Sequence, residues 1–247
     1  MINVFDVTLL KKANQGNILI LNTFKGAKEL DLYFYFFFTC AYIFLFVWSL
    51  YKKQLFNLSS FVYLVIIGLI FDNIVVALGR FIGVGTLLEN LNYLRYWVHA
   101  FVTPTLILFC LSVLQHTGIK WVKSKITLWM TWLYTIILIL LEIFTEAWDI
   151  QLKPVWEYGV LRYIPAESAS GPPIMIIFIS ITLIATAILL YKYTKWKWML
   201  IGSVIMTIGS AIPFPFNSAA STNGFELFLL ITLVITKLHF DKKLTTV

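Results

Sequence analysis

Residues Leu58 to Ile82 read LSSFVYLVIIGLIFDNIVVALGRFI, an apolar run whose interior holds Asp72, Asn73 and Arg80. A helix needs about 20 mostly apolar residues to cross the hydrocarbon core of a bilayer, so this run predicts a transmembrane helix. The chain contains six further runs of this kind. They are Leu32 to Tyr51, Leu91 to Leu114, Ile126 to Thr145, Ile174 to Tyr191, Trp196 to Ile212 and Phe225 to Phe240.

The composition agrees with a membrane location. The chain has 247 residues, of which 60% are hydrophobic and 13% charged, and its mean hydropathy is +0.86. Soluble domains carry about 25% charged residues. We therefore predict an all-α integral protein of the cell membrane with seven transmembrane helices. The two cysteines, Cys40 and Cys110, lie in separate apolar runs, so neither a disulfide framework nor a metal site is predicted.

The lysines predict the orientation of the seven spans. Lys and Arg accumulate in short cytoplasmic loops, and here they concentrate in the first, third and fifth loops, which places the N-terminus outside and the C-terminus inside. The net charge of +7 is thereby explained without a nucleic-acid partner. The loop lysines are Lys52, Lys53, Lys120, Lys123, Lys125, Lys192, Lys195 and Lys197, followed by Lys242 and Lys243 at the C-terminus.

Three segments organise the chain. Residues 1–28 form an N-terminal tail in which Ile2, Phe5 and Leu9 have the spacing of an interfacial helix. Residues 29–243 form a single seven-helix transmembrane domain. Residues 147–173 form a long outer loop whose aromatic residues are typical of the membrane headgroup region, with a lid over an outer pocket as the alternative. These aromatic residues are Trp148, Trp156, Tyr158 and Tyr163.

Polar residues inside the second and third spans are the candidate site. Ionisable groups are costly in hydrocarbon, and their presence in a span indicates a function or a buried partner. Steps of three and four residues place four polar side chains on one face of the third span. They are Asn92, Arg95, His99 and Thr103, and the second span adds Asp72 and Asn73.

Counting from the short outer turn predicts the partners of these groups. It pairs Asp72 with His99, and Arg80 with Glu89. Arg95 lies one turn above His99 and could reach the same Asp72 carboxylate. Further carboxylates, Glu142 and Glu226, lie toward the outer ends of their helices. The pairs indicate either ion pairs that hold two helices together or the polar floor of an outward-facing cavity.

We favour an outward-facing pocket between the second, third and seventh helices that binds a lipid or a small amphipathic molecule. The alternatives are a proton-coupled transporter, a receptor, a membrane enzyme acting on lipid, and a structural subunit of a larger complex. Three histidines in the whole chain are too few for a multi-histidine di-iron site. No cofactor is predicted from the residues alone, and the expected partners are membrane lipids.

The third span resembles the third helix of microbial rhodopsins. Arg95-Tyr96 followed by Thr103-Pro104 has the spacing of that family, and the last span carries Lys237 near the place where the family attaches retinal. The resemblance implies a seven-helix, rhodopsin-like arrangement and retinal bound to Lys237. The two counter-ion positions of the family are occupied here by Val98 and Leu233.

Overall fold

The computed structural model describes residues 30–52, 56–167, 173–212, 218 and 220–245. The predicted tail at residues 1–28 lies outside this range, as do Lys53 and the side chain of Lys243. Within the range the chain forms eight α-helices and one β-hairpin. The helices are α1 (Leu30–Leu50), α2 (Phe61–Ile82), α3 (Thr86–Val102), α4 (Leu106–Leu114), α5 (Lys125–Glu142), α6 (Ile174–Thr194), α7 (Trp198–Ala211) and α8 (Asn223–Thr245).

Six helical stretches are long and apolar enough to cross a membrane, which fits the predicted all-α membrane protein. The remaining apolar helix, α7, has 14 residues and is about 21 Å long at 1.5 Å per residue, shorter than the hydrocarbon core of about 30 Å. The six stretches are Leu30–Leu50, Leu58–Ile82, Thr86–Thr117, Lys125–Ala147, Ile174–Thr194 and Asn223–Lys242.

The third span is interrupted near its middle. A 3-10 turn, Thr103–Thr105, separates α3 from α4, because Pro104 has no backbone N–H to continue the α-helical ladder. The Thr105 hydroxyl donates to the Val102 carbonyl at 2.6 Å and satisfies one acceptor at this break. After the break, α4 packs against α6. Before the break, the main partners of α3 are α2, α5 and the β-hairpin.

The predicted outer loop contains a β-hairpin that the sequence analysis missed. Strands β1 (Leu152–Glu157) and β2 (Val160–Pro165) pair antiparallel. Their two-residue turn, Tyr158-Gly159, has positive φ at both positions, 50° and 88°, as a type I′ turn requires.

The hairpin packs on the outer ends of α2 and α3. A Cβ at Gly79 would lie 1.9 Å from the Leu161 carbonyl oxygen, so the two backbones touch at this glycine. The backbone N–H of Gly85 donates to the Tyr163 hydroxyl at 3.2 Å. Trp148 and Trp156 are exposed, as expected of headgroup-level aromatics, but Tyr163 is buried beneath the hairpin, which corrects its assignment to that group.

Candidate functional site

A cavity of about 120 Å³ lies between α2, the third span, α6, α7 and α8. The predicted pocket involved only the second, third and seventh spans, and the structure adds α6 and α7 to its walls. The wall is mostly aliphatic, and its polar groups come from all five elements. These polar residues are Asp72, Arg95, His99, Thr103, Ser180, Ser203, Thr207 and Glu226.

An ion pair between Arg95 and Asp72 forms the floor of the cavity. The Arg95 Nε donates to Asp72 Oδ1 at 2.8 Å, and the two side chains are 14% and 33% exposed. The Arg95 Nη1 donates to Asn92 Oδ1 at 2.7 Å, while the Asn92 Nδ2 donates to the Leu88 carbonyl at 2.7 Å. Asn92 is fully buried and does not line the cavity, so its role is to hold the guanidinium in place.

The partner of Asp72 is therefore Arg95, the second partner that the sequence allowed for this carboxylate, whereas the depth-matched pairing with His99 is wrong. Helix α2 ends at Ile82, ten residues after Asp72, and α3 begins at Thr86. The tenth residue after Thr86 is Tyr96, so Arg95 lies within one residue, about 1.5 Å along the helix axis, of the level of Asp72. His99 lies about one turn deeper, since one turn rises about 5.4 Å.

His99 and Thr103 continue the polar face beside the ion pair. The Thr103 Oγ1 and the His99 Nδ1 share a hydrogen bond of 3.3 Å, whose direction depends on the histidine tautomer. They are four residues apart and therefore neighbours on one helical face, as predicted. The imidazole is exposed and lines the cavity, so it remains available to a bound molecule.

Asn73 fixes the start of α8 at the depth of the ion pair. The Asn223 Nδ2 donates to Asn73 Oδ1 at 2.5 Å, and the Tyr42 hydroxyl donates to the Asn223 carbonyl at 3.3 Å. Asn73 is fully buried and absent from the cavity wall. The predicted ligand residue is thus a positioning residue, because it places the first turn of α8 next to Asp72.

Glu226 enters the cavity from that first turn. Its side chain is half-buried and makes no hydrogen bond or ion pair to any residue that the structure describes. A carboxyl group in the first turn of a helix lies at the positive end of the helix dipole. Of the predicted outer carboxylates, Glu226 belongs to the site, whereas Glu142 is buried in α5 away from the cavity.

The predicted Arg80–Glu89 ion pair is not formed. The residue level with Arg80 is Leu88, which is buried, and Glu89 is rotated from it by about 100° around α3. The Arg80 guanidinium lies 5.7 Å from the centre of the Phe81 ring. The ion pairs among the described residues are Asp72–Arg95, Glu157–Arg162 and Lys237–Asp241.

Lys237 lies in a separate polar cluster at the other end of the bundle. Its Nζ donates to Asp241 Oδ2 at 2.7 Å and to Ser59 Oγ at 3.1 Å, and the Asn57 Nδ2 donates to Asp241 Oδ1 at 3.3 Å. The lysine side chain is fully buried and does not line the cavity. The retinal attachment at Lys237 that the resemblance to rhodopsins implies stays a prediction.

No protein-family model, curated protein or solved structure matches this chain. Among the described residues, no group of three or more His, Cys, Asp and Glu side chains is arranged to hold a metal ion. The site instead combines one ion pair, one imidazole and one carboxyl group with an aliphatic wall.

Three hydroxyl residues of the wall were missed by sequence reasoning. Ser180 lies on α6, and Ser203 and Thr207 lie one turn apart on α7. The Ser203 hydroxyl donates to the Met199 carbonyl at 2.8 Å, and the Thr207 hydroxyl donates to the Ser203 carbonyl at 2.9 Å. Such bonds to the preceding turn are common for Ser and Thr in helices, so no sequence signal separates these residues from others of their type.

Proposed function

We propose that this chain is a seven-helix membrane protein whose cavity binds a lipid or another small amphipathic molecule. The observation that supports this proposal is the lining of one cavity by the charged side chains Asp72, Arg95 and Glu226 together with a majority of aliphatic residues. A purely polar solute would leave the aliphatic wall unmatched, and a hydrocarbon would leave the charged groups desolvated at a cost.

The division between polar and apolar lining defines an axis for the ligand. On α2, the apolar residues Val65 and Leu69 lie on the Ser59 side of Asp72. On the third span, Leu106 lies in the same direction from Arg95, eleven residues or about 16 Å away. We therefore place the head group of the ligand beside the ion pair and its apolar chain along these residues.

The cavity volume limits what is enclosed. A cavity of about 150 Å³ in another protein is large enough to hold benzene, so 120 Å³ accommodates a small head group and a few carbon atoms. A longer chain would extend through the opening beside α3, where α6, α7 and α8 are not main packing partners. His99 on α3 is exposed and lines the cavity.

The exposed charges support an outer location for the end of the bundle that carries the β-hairpin. The seven lysines of the described connections are exposed, and they lie at the opposite end of the helices from the β-hairpin. Under the positive-inside rule this end is cytoplasmic. They are Lys52, Lys120, Lys123, Lys125, Lys192, Lys195 and Lys197.

Native mass spectrometry tests the proposal. The purified protein is expected to retain a small molecule or lipid, and Arg95→Ala and His99→Ala are expected to release it. Arg80→Ala is the matched control, because it also removes a cation from the α2–α3 pair but lies outside the cavity. An empty unmodified protein, or release by the control to the same extent, would contradict the proposal.

A proton-coupled carrier is the second candidate, and the interrupted third span favours it. Transporters often form their substrate site at broken helices near the membrane midplane, and the Thr103–Thr105 turn lies at the level of the cavity. In proteoliposomes, a carrier would move a labelled amphipathic probe in response to a pH gradient. Transport that Asp72→Asn leaves intact would remove the basis for this candidate.

A further inference from the structure

The unused polar atoms of the cavity identify the head group of its ligand. Building on the proposed function, we infer that the ligand carries a protonated primary amine that pairs with Glu226. Three features of the cavity wall indicate this amine: the balance of its charged side chains, the hydrogen-bond acceptors that are still free, and the aliphatic nature of its apolar residues.

The charge balance favours a cation. Two acids, Asp72 and Glu226, and one guanidinium, Arg95, line the cavity. Arg95 already bonds to Asp72 and to Asn92, whereas the carboxyl group of Glu226 bonds to none of the described residues. A ligand ammonium supplies the missing partner of Glu226, while a phosphate or carboxylate head group would face two acids.

The remaining hydrogen-bonding capacity also favours a donor. The Ser203 and Thr207 hydroxyl protons are directed to backbone carbonyls, so their oxygen lone pairs remain as acceptors. Arg95 uses Nε and Nη1, which leaves Nη2 for a hydroxyl or carbonyl elsewhere on the ligand. An ammonium group carries three donors and no acceptor and therefore matches the Glu226 carboxyl and these hydroxyls.

The apolar wall favours a primary over a quaternary amine. Quaternary ammonium ions are typically bound by aromatic rings through cation–π contacts. The lining residues in the described part of the chain are aliphatic where they are apolar, and none is Phe, Tyr or Trp. A trimethylated head group would meet neither an aromatic cage nor the donors that the hydroxyl oxygens require.

Matched eight-carbon probes test the inference on the unmodified protein. Octylamine, octanol, octanoate and octyltrimethylammonium are titrated into the protein in zwitterionic nanodiscs, with empty nanodiscs as the partition control. Octylamine is expected to bind about tenfold more tightly than octanol, because one hydrogen-bonded charge pair contributes about 1.5–3 kcal/mol and 1.4 kcal/mol is tenfold. Octanoate is expected to bind most weakly.

A paired substitution assigns the effect to one side chain. Glu226→Gln is expected to lower the affinity for octylamine to that for octanol and to leave octanol binding unchanged. Glu89→Gln is the matched control, because Glu89 also occupies the first turn of a helix but lies outside the cavity. Tighter binding of octanoate than of octylamine, or an octylamine affinity that Glu226→Gln does not change, would overturn the inference.

Three further outcomes distinguish failure of this inference from failure of the proposed function. Equal binding of octylamine and octyltrimethylammonium would overturn the assignment of a primary amine. Binding of octanol or octanoate in preference to octylamine would leave the amphipathic-ligand proposal standing and refute the amine. Absence of binding by all four probes would contradict the proposed function itself.

Discussion

Replacing Arg95 with alanine removes two hydrogen bonds at once. The substitution leaves Asp72 without its guanidinium partner and leaves the fully buried Asn92 Oδ1 without its donor. Replacing Asp72 with alanine is less disruptive, because Arg95 keeps its bond to Asn92. We therefore expect the Arg95 variant to be the less stable of the two.

The expected magnitudes follow from the burial of each group. An unsatisfied buried acceptor costs about 1–3 kcal/mol, and a charged hydrogen bond contributes about 1.5–3 kcal/mol. Arg95→Ala should thus lower the free energy of unfolding by about 3–5 kcal/mol, the range known for breaking a buried ion pair. Asp72 is 33% exposed, so Asp72→Ala should lower the free energy of unfolding by only about 1–3 kcal/mol.

A double-mutant cycle measures the direct interaction between the two side chains. In the combined Asp72→Ala, Arg95→Ala protein, the loss should be smaller than the sum of the single losses by about 1–3 kcal/mol, as expected for residues in direct contact. Reversible unfolding in mixed micelles, followed by tryptophan fluorescence, gives the four free energies.

The same cycle with His99 distinguishes the two pairings of Asp72. Because His99 bonds to Thr103 and not to Asp72, Asp72→Ala and His99→Ala should add within about 0.5 kcal/mol. Additive effects for Asp72 and Arg95 together with strong coupling between Asp72 and His99 would refute the assignment of the ion pair.

Three further substitutions test the packing around the site. Gly79→Leu should displace the β-hairpin and increase its cleavage in limited proteolysis, because a Cβ there would overlap the hairpin backbone, whereas Gly68→Ala meets only ordinary contacts and should not. A Cβ at Gly202 would lie 1.9 Å from the hydroxyl oxygen of Thr232 on α8. Gly202→Leu should therefore destabilise the packing of α7 on α8 by about 1–3 kcal/mol through overpacking, which thermal unfolding measures. Lys237→Met should lower the unfolding free energy by about 3–5 kcal/mol, because it breaks the buried ion pair between Lys237 and Asp241; unchanged stability would contradict this role.

The membrane-spanning character could be predicted because it depends on composition and run length alone. The polar face of the third span was also predictable, since the spacing of Asn92, Arg95, His99 and Thr103 fixes their common direction on a helix. The bond between Arg95 and Asn92, three residues apart, follows from the same periodicity.

The partners of these groups needed the tertiary structure. Matching the depth of Asp72 to a residue of α3 requires knowing where α3 begins. An error of one helical turn in that position exchanges Arg95 for His99 as the residue nearest in depth. The role of Asn73 depends on Asn223, which is 150 residues away in the sequence. Long-range contacts of this kind are not encoded in local periodicity.

The β-hairpin could have been predicted from the sequence, but the aromatic residues of the same segment favoured a different interpretation. Tyr158-Gly159 is flanked by short segments containing Val155, Val160 and Ile164, and such a pattern favours two strands joined by a tight turn. The aromatic residues of the same segment are equally typical of a headgroup-level loop. The packing of Leu161 on Gly79 distinguishes the two.

A high-resolution cryo-electron microscopy map of the protein in lipid nanodiscs tests the central claim most directly. We predict non-protein density in the cavity, with its head beside Arg95 and Glu226 and a continuous tail along Leu69 and Leu106. A map in which side chains fill this space, with Arg95 and Asp72 enclosed and no opening beside His99, would contradict the account.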